Sequence, residues 1–261
     1  MFGLIDYEQY LIAALIFIPF EYLFPLRASQ KVFRKDWRND VIFLLLNGVV
    51  IQLGLLFIFA GLITVLKPIV PHSVTDVVRA QPIWLQIIEV LLVADLGFYM
   101  AHRAFHAFPS LWKIHAVHHS IEELDWLAAY RVHPVDQIIT KTASFLPLFV
   151  LGFSDNAMLF YLLTFKWQST WIHSNNWFGF GPLNWIIASP KFHHWHHALE
   201  PAAIDKNFAG QLPLLDWIGG TLFMPDRMPA GYGTTDPVPT RYDRQILYPF
   251  RSWFARPAKS E

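Results

Sequence analysis

"VIFLLLNGVVIQLGLLFIFAGLITVL", residues 41–66, contains no charged residue. A helix crosses the hydrocarbon core of a bilayer with about 20 apolar residues, so this stretch reads as a transmembrane span. Four further segments come near the same requirement. Tyr10–Pro25 is short, with Pro19 and Glu21 inside it, and Ile83–Ala101 spans despite Glu89 and Asp95. Val135–Gly152 and Asp155–His173 are separated by "GFSD", a helix stop followed by an N-cap, and read as a helical hairpin. The predicted fold is all-α: one integral membrane domain over residues 1–261, a bundle of about four to five spans.

Composition agrees. Hydrophobic residues make up 54% of the 261 and charged residues only 15%, against ~25% in soluble domains. The formal net charge is zero, which gives no reason to expect a nucleic-acid partner. The absence of Cys excludes disulfides, thiolate metal sites and Cys nucleophiles. The N-terminal run begins with Asp6 and Glu8 rather than basic residues and lacks an A-x-A-like site, so it is not read as a cleaved signal peptide.

Charge sets the orientation. The loop Arg27–Asp40 carries Arg27, Lys31, Arg34, Lys35 and Arg38, whereas Lys67–Pro82 carries only Lys67 and Arg79. Basic loops stay in the cytoplasm, which places the N-terminus and the second loop outside. Eleven of the 12 histidines then fall at the cytoplasmic face, and only His72 lies outside. Histidine played no part in that assignment.

The histidines come in short-spaced groups. "HRAFH" gives His102 and His106; "HAVHH" gives His115, His118 and His119; "HHWHH" repeats the H-x-x-H-H spacing with His193, His196 and His197. Residues three and four apart share a helix face, so such imidazoles can reach one ion or two adjacent ions. If the third span runs on to Ala107 it is about 37 Å long against a core of about 30 Å, and carries His102 and His106 just above the lipid. His133 and His173, at the inner ends of the hairpin, join the predicted ligand set. His194 is read as a spacer or supporting residue and His72 as a loop residue without a role. Ten ligands exceed the three or four of a single zinc site and suit two ions. Imidazole suits Fe, Zn, Cu and Ni. Oxygen chemistry beside a lipid favours iron, and spacing leaves zinc open.

"HRAFHAFPSLWKIHAVHHS", "LAAYRVHPVD", "WIHSNNWFGFGPLNWIIASPKFHHWHH" and "DKNFAG" together resemble the fatty acid hydroxylase / sterol desaturase superfamily, nearest its bacterial sterol desaturase branch, over about residues 85–225. One departure is "QLPLLDWIGGTLF", where Asp216 precedes Trp217 and Gly219–Gly220 replace an aromatic. The resemblance implies an integral membrane enzyme holding two Fe ions in a His-rich cytosolic helical cap. It would use O2 as co-substrate to hydroxylate or desaturate a lipid C–H bond. Its metal ligands would be His102, His106, His115, His118, His119, His133, His173, His193, His196 and His197. A bacterial inner membrane is the expected location. No cytochrome b5-like or ferredoxin-like segment is recognisable in the sequence, so a separate electron donor of that kind is expected.

Ligating imidazoles need acceptors for their second N–H, and Asp136 is the first candidate, with Glu122, Glu123, Asp125 and Asp205 behind it. Asp95, Tyr99, His102 and His106 fall on one face of the third span and are expected to line a route from bilayer to metal, with Asp95, Tyr99 and Asp136 as candidate catalytic residues. Lys141 and Lys166 are expected to snorkel at helix ends. Residues 226–261 read as a cytosolic tail. Its Tyr248, Phe250, Trp253 and Phe254, mixed with Arg244, Arg251 and Arg256, would either lie on the inner leaflet or pack as a tail. A His-lined transporter would place its site at mid-membrane, a haem protein would not explain two H-x-x-H-H groups, and a zinc hydrolase would be expected to show H-E-x-x-H.

Overall fold

The computed structural model describes residues 7–251, and within that range the chain is helical with no β-strand. The helices are α1 (Tyr7–Leu23), α2 (Trp37–Leu66), α3 (His72–Ala80), α4 (Ile83–Ala107), α5 (Pro109–His119), α6 (Pro134–Leu151), α7 (Asp155–His173), α8 (Pro190–His196), α9 (Leu214–Gly219) and α10 (Tyr242–Leu247). Each of the five predicted spans is a helix. Two segments, Trp37–Ile69 and Ile83–Ala107, are long and apolar enough to cross a bilayer.

The turn between α6 and α7 forms as the sequence predicts. Gly152 adopts φ 82°, a left-handed conformation that suits glycine, and its N–H reaches the Leu148 carbonyl. The Ser154 hydroxyl then accepts from Ala157 N–H and starts α7. α4 packs tightly on α6 because Gly97 has no side chain; a Cβ there would sit 2.1 Å from the Ala143 carbonyl oxygen. The sequence reading passed over α3, a nine-residue helix in the segment read as the second loop.

Apolar and polar faces are distributed as lipid demands. Along α4, Ile88, Leu92, Leu96 and Met100 form an exposed stripe at helical spacing, while Gln86, Asp95 and His102 are buried. Asn47, Thr140, Ser144 and Thr170 are likewise turned inward on α2, α6 and α7. A water-soluble bundle would present the reverse pattern.

The ends of the helices sort into two layers. At one end α3 and the α6–α7 turn meet, with Thr75 against Gly152 and the Ser154 N–H on Gln86. At the other end lie the Arg27–Asp40 loop and every histidine except His72. That loop folds over the short helices: Gln30 donates to the Leu124 carbonyl, and Leu26 N–H to the Asn175 carbonyl. The basic loop and the histidines therefore share one end, as charge bias predicts.

That loop is not simply a solvated run of charge. Arg34 is buried and bonds Asp40 at 2.5 Å and Asp125 at 2.7 Å, and Arg131 bonds the other Asp40 oxygen. Buried charges persist only when paired in this way. The C-terminal segment also packs inward: Tyr242 donates to Asn47 at 3.1 Å, and Asn39 donates to Gln245 at 2.9 Å. Of the aromatic tail, Trp253, Phe254 and Arg256 lie outside the described residues.

Candidate metal centre

α4 continues without a break to Ala107, so His102 and His106 stand one turn apart at its end. Phe108 is extended and Pro109 starts α5, which turns the chain so that His115, His118 and His119 face back across α4. α7 ends on His173, and α8 brings His193, His196 and His197 over them.

These nine imidazoles form two groups, within each of which the ligand nitrogens lie no more than 4.8 Å apart: His102, His106, His115, His119 and His196 in one, His118, His173, His193 and His197 in the other. The two H-x-x-H-H segments contribute reciprocally. Each supplies its four-apart pair to one group and its remaining histidine to the other. The groups are contiguous, with the rings of His119 and His197 stacked at 4.6 Å.

The hydrogen bonds around the rings fix their tautomers. His102 Nδ1 donates to the Phe208 carbonyl (2.7 Å), His118 to Arg131 (3.1 Å), His173 to Ser169 (2.6 Å) and His196 to Lys206 (2.8 Å). A carbonyl can only accept, so each Nδ1 carries the proton and each neutral ring turns a bare Nε2 lone pair inward. His115 Nδ1 does the same toward Asp136 at 2.6 Å, and His106 Nδ1 toward Asp205 at 3.2 Å. Where both tautomers are set in this way the inward Nε2 atoms confront one another, at 3.0 Å for His102–His115 and 3.1 Å for His118–His173, while His193 and His119 bring their own Nε2 atoms to 2.8 Å from His173 and 3.0 Å from His196.

Lone pair against lone pair is repulsive unless a cation lies between. Two imidazoles about 2.0–2.1 Å from one ion have nitrogens roughly 3 Å apart in neighbouring coordination positions, so the donor set fits a bound metal. The buried Nε2 of His106, which has no hydrogen-bond partner, points to the same requirement.

Burial keeps the cap imidazoles neutral. His118 is pushed down to about 4, and His115, His119, His193, His196 and His197 are held well below the usual range, first by burial and then by neighbouring imidazoles. Neutral rings are what a metal requires. In the unfolded chain these groups titrate near 6.5, so between that value and their lower folded values the unfolded chain binds more protons. The metal-free protein is therefore expected to be most stable above about pH 6.5 and to lose stability as pH falls below it. Thermal melts of chelator-stripped protein between about pH 8 and pH 5 check this; a flat profile would contradict it.

His133, predicted as a tenth ligand, belongs to neither group. It caps α6 instead: its Nδ1 accepts from Val135 N–H at 3.2 Å and its Nε2 donates to the Ile246 carbonyl at 3.1 Å, which uses both nitrogens. Asp95 does not line a route. Its carboxylate is fully buried and accepts from the backbone N–H groups of Gly210 (2.9 Å), Gln211 (2.9 Å) and Leu212 (2.7 Å). Tyr99 closes the same face against Thr221 (3.2 Å) and Arg103 (3.0 Å) rather than opening onto a channel. Among the proposed acceptors, Asp136 and Asp205 do hold imidazoles. Glu122 instead pairs with Lys35, Glu123 accepts from Lys35 N–H, and Asp125 pairs with Arg34. His194 bonds the Tyr232 hydroxyl at 2.8 Å, in keeping with a supporting role.

Sequence reasoning named Asp205, which holds His106, but missed its neighbours in the same loop, whose carbonyls hold two more imidazoles of the first group: Lys206 on His196 and Phe208 on His102. Asp205 and Asn207 adopt left-handed φ of 58° and 60°. The Asn207 side chain bonds Phe192, Phe223 and Phe223 N–H, while Asp216 accepts from Phe208 and Ala209 N–H. The "DKNFAG" block gave the available signal: polar residues that favour left-handed backbone, placed just after the last histidine-bearing segment.

Asp136→Asn exchanges the acceptor on His115 Nδ1 for a weaker, reorientable one. Metal affinity is expected to fall about 10- to 100-fold, read by competition with a chromogenic chelator; unchanged affinity would remove Asp136 from the site.

A family model for fatty acid hydroxylase matches residues 87–221, which contain all nine grouped histidines, from "HRAFH" through "HHWHH", and the loop that supports them. Ornithine lipid hydroxylase OlsE of Rhizobium tropici is 29% identical over 246 residues, covering 92% of this chain and 74% of that protein. Alkylglycerol monooxygenases of Xenopus tropicalis and Homo sapiens are 32% and 34% identical over 162 and 152 residues. Those two alignments cover 60% and 58% of this chain but only 34% of each monooxygenase, so this chain corresponds to about a third of their length. No solved structure matches. The matched region, the converging imidazoles and the two helices long and apolar enough to cross a bilayer agree: this chain belongs to the fatty acid hydroxylase family and is an enzyme of the lipid-hydroxylase class.

Proposed function

We propose that the protein is a di-iron, O2-dependent membrane oxidoreductase that hydroxylates a C–H bond of a membrane lipid. One observation carries the reading: two contiguous groups of neutral imidazoles whose Nε2 lone pairs face each other without a donor between them. His102, His106, His115, His119 and His196 would hold one ion, and His118, His173, His193 and His197 the other. Bound iron would supply the O2 activation that no protein side chain can provide.

The chain's own residues perform the remaining tasks. Carbonyls of Phe208, Arg131, Ser169 and Lys206 hold the rings in the tautomer that presents Nε2 inward. Asp136 and Asp205 anchor two more, and a carboxylate on the far nitrogen raises the basicity of the ligating one. The buried cap keeps bulk water from the centre, while the apolar exterior of α1, α2 and α4 keeps the site within reach of lipid chains. The basic Arg27–Asp40 loop favours a cytoplasmic position for the centre in a bacterial inner membrane, with electrons delivered by a separate carrier. Four to five crossings are part of this reading, made by the long helices α1, α2, α4, α6 and α7.

The test is lipid profiling of a host with and without the gene, grown under 18O2, with His118→Ala as control. A lipid that gains one labelled oxygen only with the wild-type gene is expected. A lipid that loses two hydrogens without label would make the enzyme a desaturase. No lipid change in cells that accumulate metal-loaded protein would overturn the reading.

A further inference from the structure

Two segments that follow α7 carry almost no charge. Residues 174–190 contain no Asp, Glu, Lys or Arg, and residues 207–224 contain only Asp216, which is buried. Charge returns outside them: Lys191, Glu200, Asp205 and Lys206 lie between the two, and Asp226 and Arg227 follow. Both segments nonetheless turn large apolar side chains outward. Trp177, Leu183, Trp185 and Ile186 are exposed in the first, and α9 presents Trp217 and Ile218 at 62% and 69% exposure. Apolar side chains gathered at a surface without charge mark a contact with a protein or a membrane.

The long helices fix the depth of these segments. Gly210, Gln211 and Leu212 donate their N–H groups to Asp95, seven residues below His102 on α4 and so about 10 Å further along the axis. Gly219, at the end of α9, packs so closely on α4 that a Cβ there would collide with the Tyr99 hydroxyl. Gln168 of α7, five residues before His173, donates to the Ala188 carbonyl at 3.1 Å and accepts from the Gln211 amide at 2.9 Å. Ala188 N–H donates to the Gln211 carbonyl at 2.8 Å and joins the two segments. Both therefore lie beside α4 and α7 on the membrane side of the imidazoles, next to the exposed stripe that runs through Leu96 and Met100. Irregular backbone is tolerated at such depth only where protein groups satisfy it. Here two buried carboxylates take five consecutive N–H groups: Asp216 those of Phe208 and Ala209, Asp95 those of Gly210, Gln211 and Leu212. The Asp216 carbonyl takes those of Thr221 and Leu222. A loop in water could leave them to solvent.

We propose that residues 177–186 and α9 are inserted among the acyl chains of the bilayer leaflet on the histidine side, so that the cap is sunk into that leaflet rather than standing clear of it. The proposal rests on the reading of α4 as a bilayer-crossing helix. Depth and continuity with the α4 stripe select lipid over a protein partner as the occupant. Trp177, Trp185 and Trp217 suit the position, since indole rings favour the level of the headgroups. The inserted chain also leads directly to the site. Phe208, whose carbonyl holds His102, is two residues from Gly210, so the first metal group is tied to the segment that meets lipid.

The chain has no cysteine, so a single introduced thiol can be spin-labelled without background. Full-length protein in phosphatidylcholine nanodiscs is labelled in turn at Leu183→Cys, Ile186→Cys, Trp217→Cys and Ile218→Cys. Leu96→Cys on α4 is the lipid reference and Asp226→Cys the water reference. Power-saturation EPR reads collisions of each label with oxygen, which concentrates in lipid, and with a water-soluble nickel chelate. The four positions are expected to lose nickel collisions down to the level of the Leu96 position and to gain oxygen collisions over the Asp226 position. Nickel collisions at the Asp226 level in both segments, with the Leu96 position still protected, overturn the proposal and leave the crossing by α4 standing. Protection confined to one segment overturns it for the other. Nickel access at the Leu96 position as well overturns both the crossing and the proposal. All four side chains are exposed, and two positions in each segment guard against a variant that does not fold. Neither metal nor turnover is read, so the hydroxylase reading is tested separately by the 18O2 experiment.

Discussion

His193→Ala is expected to lower the metal content of iron-supplied protein from two ions per chain to about one and to abolish lipid oxidation. His193 Nε2 sits 2.8 Å from that of His173 and 3.1 Å from that of His197, so it occupies the middle of the four-imidazole group. Removing it leaves three ligands and opens space where a buried ring stood. The loss should exceed the roughly 10- to 100-fold typical of residues that only support a ligand. His194→Ala is the matched control: the same helix, the next residue, an equally buried ring, but bonded to Tyr232 and turned away from both groups. It should keep both ions. Elemental analysis of the two variants side by side decides the matter, and equal metal content in both would dismiss the division of histidines proposed above.

Asp95→Ala is expected to disrupt the first metal group from a distance. The carboxylate satisfies three backbone N–H groups of the loop Gly210–Leu212. Leaving a buried donor unpaired costs about 1–3 kcal/mol, so the combined penalty reaches several kcal/mol, enough to release the loop. Release would shift Phe208, whose carbonyl sets the tautomer of His102. The expected result is faster amide exchange across residues 207–212, a lower melting temperature and loss of metal from the first group, with the second group retained. A residue that merely lined a lipid route would leave exchange and metal content unchanged, and that outcome would restore the simpler reading of Asp95.

Much of the fold was legible because membrane helices follow a local rule. Each hydrophobic run satisfies its own backbone hydrogen bonds, so α2, α4, α6 and α7 could be read one at a time, and the Gly152–Ser154 signals marked the turn between two of them. The histidine spacing was equally local, since H-x-x-x-H and H-x-x-H-H state which rings share a helix face. Functions that depend on a partner far along the chain were not legible. His133 and His173 are both single histidines at hairpin ends, yet one caps a helix and the other faces His118 and His193. Asp95, Asp125 and Asp136 are all buried acids, and only their distant partners distinguish a loop anchor, an ion-pair member and a histidine support.

The sequence alone determined long apolar helices and a histidine-rich end, because hydrophobic run length and short-range spacing are properties of adjacent residues. The tertiary structure decided which nine imidazoles converge and how they divide five and four. Those outcomes depend on how α4, α5, α7 and α8 meet, and on carbonyls supplied by loops as distant as Phe208 from His102. Spacing within a segment carries no information about such encounters.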